Sequence, residues 1–508
     1  MRAPQAFAAL ALLLLGTVVP GPGRSAAPTR ATPPNIVLIL TDDLDVNLHS
    51  LEYMPKWQAL LSDQGTSFAN HFVPVSLCCP SRATLLRGQY SHNHQIYSNS
   101  PPDGGFQMFQ KYNLDRATIA TALEKAGYRT VLLGKYLNGY PHTEAANYIP
   151  PGWSEWYVPA DNDAYGEFNY QLNENGKLVD YGGAPGEYLT DVLAAKAAGF
   201  IRRTQQPYFM YLATYAPHAP ATPAPRHQDL FPDLAAPRPP SFDEATATLR
   251  NKPAQFRSAP PLAAQDVAAI DALYRRRIQS LQAVDELIAR VIHALLVNGQ
   301  LDHTYIVFTS DNGFHMGEHR FRPGKYTAYE EDIHVPLVVR GPGVPAGQVR
   351  DDLTSSVDLA PTFADLAGAA LAVRADGRSL VPLFTRAAAP ADWRQVVLVE
   401  QRPFPQQGPA TVPGGVLEPP DLGDKAGLGS FPPTTFRGVR TKTTKYVEYA
   451  SGEREYYDLA ADPYELHNLA GKADRADVAK LAQILSRLHT CAGKSCRAAE
   501  STPLPPAP

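Results

Sequence analysis

Cysteine is scarce in this chain, with four residues in 508. Cys491 and Cys496 bracket a short polar loop near the C-terminus and are expected to pair, as such neighbours do in an oxidising compartment. Cys78 and Cys79 are adjacent, where a disulfide is strained, so the plain expectation for them is two buried thiols. Long apolar runs are missing too. The run Phe7–Val19 falls short of the ~20 residues that a membrane span needs, and no later segment is longer. With Arg2 before it and Pro-Gly-Pro-Gly and Ser25-Ala26-Ala27 after it, this run reads as a cleavable signal peptide over residues 1–27. The expected location is therefore secreted, periplasmic or lumenal, with no membrane span. No Asn-x-Ser/Thr acceptor for N-glycosylation occurs, since Asn99 is followed by Ser100-Pro101. An excess of positive charge is also absent. The net charge of −4 excludes a general nucleic-acid binder, so any anionic substrate must be held by a local basic pocket. Apolar content of 44% and charged content of 19% exclude wholesale disorder.

What is present is an alternation of β-rich apolar runs with helical patterns, the mark of an α/β fold with a large, mostly parallel sheet. The strands are read at Ile36–Leu40, Thr130–Leu133, Tyr208–Ala213, Tyr305–Phe308 and Pro336–Val339. Helices are read at Thr118–Ala126, Thr190–Arg203 and Ala264 to about Val297. No internal repeat is visible. Proline-rich stretches at Ala216–Pro261 and Arg402–Pro433 are expected to be long surface loops, the kind that wall a substrate cleft or stay disordered. Beyond Leu383, short strands at Val396–Glu400, Phe436–Arg440 and Lys445–Tyr449 and a helix at Ala476–Leu488 predict a smaller α+β domain. The expected division is a signal peptide at 1–27, a catalytic domain at 34–385, a C-terminal α+β subdomain at 386–490, and a tail at 491–508.

Four of the strands run straight into residues that do chemistry: Asp42-Asp43, Gly134-Lys135-Tyr136, Ala216-Pro217-His218 and Ser310-Asp311-Asn312-Gly313. Ligands of open parallel sheets bind beyond the carboxyl ends of the strands, so these groups are predicted to converge on one rim. Asp42, Asp43, Asp311 and Asn312 are all oxygen donors, a set that suits a hard cation such as calcium or magnesium better than zinc. One such pair read alone could equally be a helix cap or a turn; two pairs at matching strand ends favour the metal. Lys135 ends an apolar strand, where its ammonium must find an anion or water. His218, alone, reads as a satisfied polar histidine, but Pro217 and Pro220 set it in an irregular loop directly after a strand. Lys325, in Arg322-Pro323-Gly324-Lys325, reads as a solvated surface lysine. His315, Glu318 and His319 look like a metal cluster but lack the His-Glu-x-x-His spacing of zincins.

The most specific stretch is Cys78-Cys79-Pro80-Ser81-Arg82, followed by Tyr90-Ser91-His92-Asn93-His94. Taken with Gly134-Lys135-Tyr136-Leu137-Asn138, Pro150-Pro151-Gly152-Trp153, Tyr188-Leu189-Thr190-Asp191, Ala216-Pro217-His218, Ser310–Gly313, Tyr457-Asp458-Leu459 and Asp462-Pro463, it resembles the type I, formylglycine-dependent sulfatases. Within them it is most similar to the N-acetylglucosamine-6-sulfatase and extracellular heparan 6-O-sulfatase branch. The resemblance covers nearly the whole mature chain and implies an alkaline-phosphatase-like three-layer sandwich. It implies that Cys78, two residues before the proline, is converted to formylglycine by a maturase, while Cys79 stays a cysteine. One hydroxyl of the hydrated aldehyde would attack the sulfur of a sulfate ester, splitting a hard displacement into two steps. The second would help expel sulfate and restore the aldehyde. Asp42, Asp43, Cys78, Asp311 and Asn312 would hold one Ca²⁺, with Mg²⁺ the lesser candidate. Arg82, one helical turn after Cys78, would stabilise the hydrate. Lys135, His218 and Lys325 would neutralise the sulfate, with His218 or Lys325 as proton donor to the leaving alcohol. Many arylsulfatases carry histidine where this chain has Leu137, so the base for sulfate elimination is unassigned, with His92 or His94 as candidates.

The implied activity is hydrolysis of sulfate monoesters, with 6-O-sulfated N-acetylglucosamine in glycosaminoglycans as the expected substrate. The competing expectations are an arylsulfatase of small esters, a phosphatase or phosphodiesterase of the same superfamily, and a catalytically silent glycan-binding protein with unmodified Cys78.

Overall fold

The computed structural model describes residues 33–141, 145–160, 163–402, 435–472 and 476–504. The signal peptide reading and nearly all of the proline-rich stretch Arg402–Pro433 lie outside them. From Pro33 onward the chain forms one compact unit.

Its frame is a ten-stranded sheet. In chain order the strands are β1 (Asn35–Thr41), β2 (Thr66–Phe68), β3 (His71–Phe72), β4 (Arg129–Gly134), β5 (Glu155–Pro159), β6 (Gln171–Glu174), β7 (Lys177–Asp180), β8 (Tyr208–Ala213), β9 (Thr304–Ser310), β10 (Leu337–Arg340), β11 (Gln348–Arg350) and β12 (Thr354–Ser355). The order across the sheet is β11-β2-β10-β9-β1-β8-β4-β5-β6-β7, while β3 and β12 form a separate pair. The four central strands β9, β1, β8 and β4 are mutually parallel. They are also the four that the sequence ends in chemistry-bearing residues, so their carboxyl ends share one edge.

β1 shows why these strands read as unbroken apolar runs. Helices cover both sheet faces, so both sides of each central strand must be apolar. Val37 and Ile39 pack into one core with α3 (Leu189–Arg203) and α4 (Ala264–Val297). Ile36, Leu38 and Leu40 pack into the other, with α1 (Cys78–Arg87), α2 (Ile119–Lys125) and α5 (Leu359–Ala367). This period-two alternation makes the three-layer sandwich. α4, with 34 residues, is about 50 Å long and spans the layer.

A second, antiparallel sheet follows in the order β13 (Val397–Gln401), β14 (Phe436–Arg440), β15 (Thr444–Tyr449) and β16 (Arg454–Asp458). One face packs on α6 (Ala476–Leu488), through Leu398, Val439 and Tyr446 against Leu481, Ile484 and Leu485. Val399, Val447 and Tyr457 on the other face pack against Phe72, Tyr329 and Ile333 of the main body.

Two segments are more ordered than the sequence suggests. The stretch 216–261 carries helical turns at Pro225–His227, Thr246–Leu249 and Ala254–Arg257, and buries Glu244, Leu249 and Phe256. Residues read as a tail form α7 (Lys494–Glu500), next to the Cys491–Cys496 disulfide, whose Cα atoms are 4.9 Å apart. Buried ion pairs from Glu500 to Arg378 and Arg394 fasten α7 to the body. Local periodicity cannot reveal such long-range anchors.

Candidate active site

Cys78 is the first residue of α1, whose ten residues are all buried. Pro80 fits there because the first turn of a helix has no backbone N–H bond to lose. The helix presents its positive end at Cys78. Cys78 Sγ lies 3.5 Å from Asp42 Oδ1 and accepts a 3.0 Å hydrogen bond from Lys325 Nζ. Cys79 is different in kind. It packs in the apolar core, and burial pushes its thiol up to about 12, so it stays protonated and inert.

Asp42 and Asp43 follow β1 directly. Asp43 adopts a left-handed conformation, φ 64°, unusual for a residue with a side chain. Both carboxylates reach the same cluster. Asp42 Oδ2 is bonded to Lys135 Nζ and lies 3.7 Å from an Arg82 nitrogen. Asp43 Oδ1 accepts from Lys325 Nζ at 2.9 Å and from Asn312 Nδ2 at 2.6 Å. His218 Nε2 lies 3.5 Å from Asp43 Oδ2. Lys135 turns in at Gly134, φ +92°, where a Cβ would fall 1.8 Å from the carbonyl oxygen of Ala213 in the next strand. Only glycine allows β4 and β8 to stay this close as β4 ends.

Arg82, one turn along α1 from Cys78, donates to Asp311 Oδ2 at 2.7 Å and to the Lys135 carbonyl at 2.9 Å. Burial opposes its charge, but Asp311 and Asp42 outweigh that and hold the guanidinium well above its ordinary value. Burial pushes the Asp311 carboxyl up while Arg82 pulls it back. Asp311 Oδ1 also accepts the backbone N–H groups of Asp43 at 3.2 Å and Asn312 at 2.9 Å. Asp311 thereby ties the end of β9 to the end of β1.

The residues singled out from sequence thus meet in one place: Asp42, Asp43, Cys78, Arg82, Lys135, His218, Asp311, Asn312 and Lys325. The surface reading of Lys325 is overturned. Its side chain is fully buried, because the turn that carries it folds back onto α1 from 247 residues away. The histidine candidates for sulfate elimination have other partners. His92 contacts Glu400 and the Cys491 carbonyl, each at 3.0 Å, and His94 contacts Thr84 Oγ1 at 3.0 Å and the Ile96 N–H at 3.1 Å. His315 and His319 are held by two different acids, Asp332 and Glu244.

A cation fits this donor set. Asp43 Oδ2 and Asn312 Oδ1 are buried acceptors with no hydrogen bond. Asp42, Asp43, Cys78 and His218 offer ligand atoms all within 4.8 Å of one another. His218 thus belongs to the cluster itself, whereas the sequence assigned it only to the sulfate. Three carboxylates face three fixed cations, Arg82, Lys135 and Lys325. A divalent ion would leave the site positive, as an anionic ester requires.

Sequence reasoning missed Arg277. This wholly buried residue of α4 bonds to the Asp43 carbonyl and, at 3.2 Å, to the Pro217 carbonyl, and so pins the Asp43 and His218 loops together. The available signal was the run Arg275-Arg276-Arg277 on an amphipathic helix, too wide for all three to face water.

Residues 34–369 match the sulfatase family. The chain is 36% identical over 497 residues to the N-acetylglucosamine-6-sulfatase of Capra hircus, covering 94% of this chain and 87% of that protein. It is also 36% identical over 516 residues to the N-acetylglucosamine-6-sulfatase of Homo sapiens, covering 97% and 91%. A solved structure of a protein in complex with its substrate D-glucosamine-2-N,6-O-disulfate superposes with a TM-score of 0.72 at 25% identity, covering 92% of this chain and 98% of that one. By its fold, the convergence of these residues and this relatedness, the chain belongs to the sulfatase family, enzymes that hydrolyse sulfuric esters.

Proposed function

We propose that the protein removes 6-O-sulfate from N-acetylglucosamine units of sulfated glycans. The observation that carries this reading is Cys78 at the head of a buried helix, between Asp42 and Lys325, in a chain related along most of its length to N-acetylglucosamine-6-sulfatases. In the mature protein Cys78 would be formylglycine, installed by a maturase, and Asp42, Asp43, Asp311, Asn312 and residue 78 would hold Ca²⁺. The formyl group would supply a hydrated nucleophile, and calcium, when bound, would supply Lewis-acid charge for the sulfate oxygens.

The remaining chemistry falls to the chain's own side chains. Arg82 steadies residue 78 from within its own helix. Lys135 and Lys325 offset the charge of the sulfate and of the transition state. The proton that the leaving sugar oxygen needs comes from His218 Nε2 or Lys325 Nζ. Residues 34–385 form the catalytic domain and 386–490 a supporting subdomain, with residues 1–27 exporting the protein.

Two measurements test the reading. Mass spectrometry of the peptide holding residues 78–82, in protein from its native host, should find the aldehyde; an intact thiol would leave a silent glycan-binding protein. Sulfate release from N-acetylglucosamine-6-sulfate should exceed that from 4-nitrophenyl sulfate. Turnover of the aryl ester alone would make the protein an arylsulfatase.

A further inference from the structure

Lys325 stands on a turn that contains Pro323 and Gly324, outside any helix or strand, so its place depends on what grips that turn. The geometry points to Asp332, a residue that touches neither Cys78 nor the metal-binding carboxylates, as the positioning residue for Lys325. The inference rests on the sulfatase reading of the site given above.

Asp332 is wholly buried. Its Oδ2 accepts from the Thr327 N–H at 2.9 Å and from Thr327 Oγ1 at 2.6 Å, two residues beyond Lys325. Its Oδ1 lies 2.9 Å from His315 Nδ1. His315 in turn pairs with Gly324, one residue before Lys325, through reciprocal backbone bonds of 2.9 and 3.1 Å. One carboxylate therefore grips the Lys325 turn from both sides. Hydrogen bonds to an ionised acceptor are the strong kind, and a buried donor left without its acceptor is costly.

The same segment also braces the metal-binding turn. The Asp332 carbonyl accepts from the Gly313 N–H at 2.9 Å and the Glu331 carbonyl from the Phe314 N–H at 2.8 Å. The approach is so close that a Cβ at position 313 would lie 2.0 Å from the Glu331 oxygen. Residues 331 and 332 thus set the distance between Asp311-Asn312 and Lys325. They are held in turn by the small sheet, where Arg440 of β14 and Lys445 of β15 pair with Glu330 at 3.0 and 3.3 Å.

The test is a double-mutant cycle on the mature, calcium-loaded protein, with N-acetylglucosamine-6-sulfate as substrate. Asp332→Asn should lower kcat by about 10- to 100-fold, the range expected when charge-assisted bonds to a positioned group are lost, with KM nearly unchanged. In a Lys325→Ala background the same change should cost less than about threefold, because a residue that acts through Lys325 has nothing left to position. Thr327→Val, which deletes the 2.6 Å bond and the 3.2 Å bond that the Tyr329 N–H donates to the same hydroxyl, runs through the same cycle and decides the matter if Asp332→Asn does not fold. Losses that multiply in full would overturn the proposal while leaving the site reading intact, as would parental kcat in both single variants. Full turnover by Lys325→Ala would overturn both.

Discussion

Two buried charge clusters in this protein look alike in composition and differ in closure. In the first, Arg394 bonds both oxygens of Asp358, at 2.6 and 2.5 Å, and lies 3.2 Å from Glu500. The Ser355 and Arg378 N–H groups take the remaining positions on Asp358, and Tyr90 and Arg378 complete Glu500. Every carboxylate oxygen there has a partner. The groups left without a hydrogen bond there are Arg394 Nε, Arg378 Nε and Ser355 Oγ, not carboxylate or amide oxygens, so the network is closed to a cation. In the second, around Cys78, Asp43 Oδ2 has only His218 Nε2 at 3.5 Å, and neither it nor Asn312 Oδ1 accepts a hydrogen bond. An open network, with acceptors facing one another, is held together by protein that leaves room for a cation.

The comparison breaks if the two clusters respond alike to mutation. Cys78→Ala should reduce sulfate release on the order of 10⁴-fold or more, as loss of a nucleophile does, with the melting temperature of the calcium-free protein nearly unchanged. Arg394→Ala should do the reverse. It strands two buried carboxylates, at a cost of about 3–5 kcal/mol of stability, while the kcat of the molecules that stay folded is kept. Denaturant midpoints and active-fraction kinetics on the two variants separate these outcomes; a destabilised Cys78→Ala with a fully stable Arg394→Ala would invert the assignment.

Calcium sharpens the same contrast with a smaller effect. A ligand that binds only the folded state at a hundred times its Kd stabilises by about 2.7 kcal/mol. Chelation should therefore lower the melting temperature of the parent protein, and calcium should restore it. In Asn312→Ala, which removes one open acceptor, the calcium-dependent part should shrink, whereas in an Arg394 variant it should persist on a lower baseline. Identical melts of the parent with chelator and with calcium would remove the metal from the account.

How much of this was legible in the sequence follows from the same distinction. The sheet and the rim were readable because each central strand carries its own evidence, an apolar run such as Ile36–Leu40 ending in Asp42-Asp43. The pairing of β1 with β8 and β9 then needs only parallel-sheet logic to bring Lys135, His218 and Asp311 to one edge. The closed cluster was not legible, because Arg394, Asp358 and Glu500 meet across 36 and more residues with no motif to announce them. Asp332 escaped because its carboxylate meets Thr327 and His315 across a turn that no motif announces, and Arg277 for a related reason. The partners of Arg277 are backbone carbonyls of distant loops, and a backbone carbonyl has no signature in sequence. Lys325 shows the limit most plainly, since only the family resemblance moved it from the surface to the site.

The smallest predicted effect concerns two histidines that the sequence could not tell apart, His92 and His94. Burial pushes His94 down to about 3, and its ring accepts the Ile96 N–H, which requires the neutral form. A histidine depressed from about 6.5 contributes its full stability above that pH. The contribution is lost as pH falls, because the unfolded chain takes up the proton that the folded chain refuses, by about 2 kcal/mol between pH 6.5 and 5. His92 has the opposite sign. Burial works against its charge, but Glu400 prevails and raises it, so its contribution is full below 6.5 and fades as pH rises through the raised value. Urea midpoints from pH 5 to 8 should therefore fall on the acid side in the parent protein. His94→Gln should make that acid limb shallower, and His92→Gln should make it steeper, because the stability that charged His92 adds below 6.5 is gone. An acid limb unchanged by His94→Gln would mean that the charged ring finds a partner inside the fold, and His94 would then join His92 on the side of paired, closed clusters.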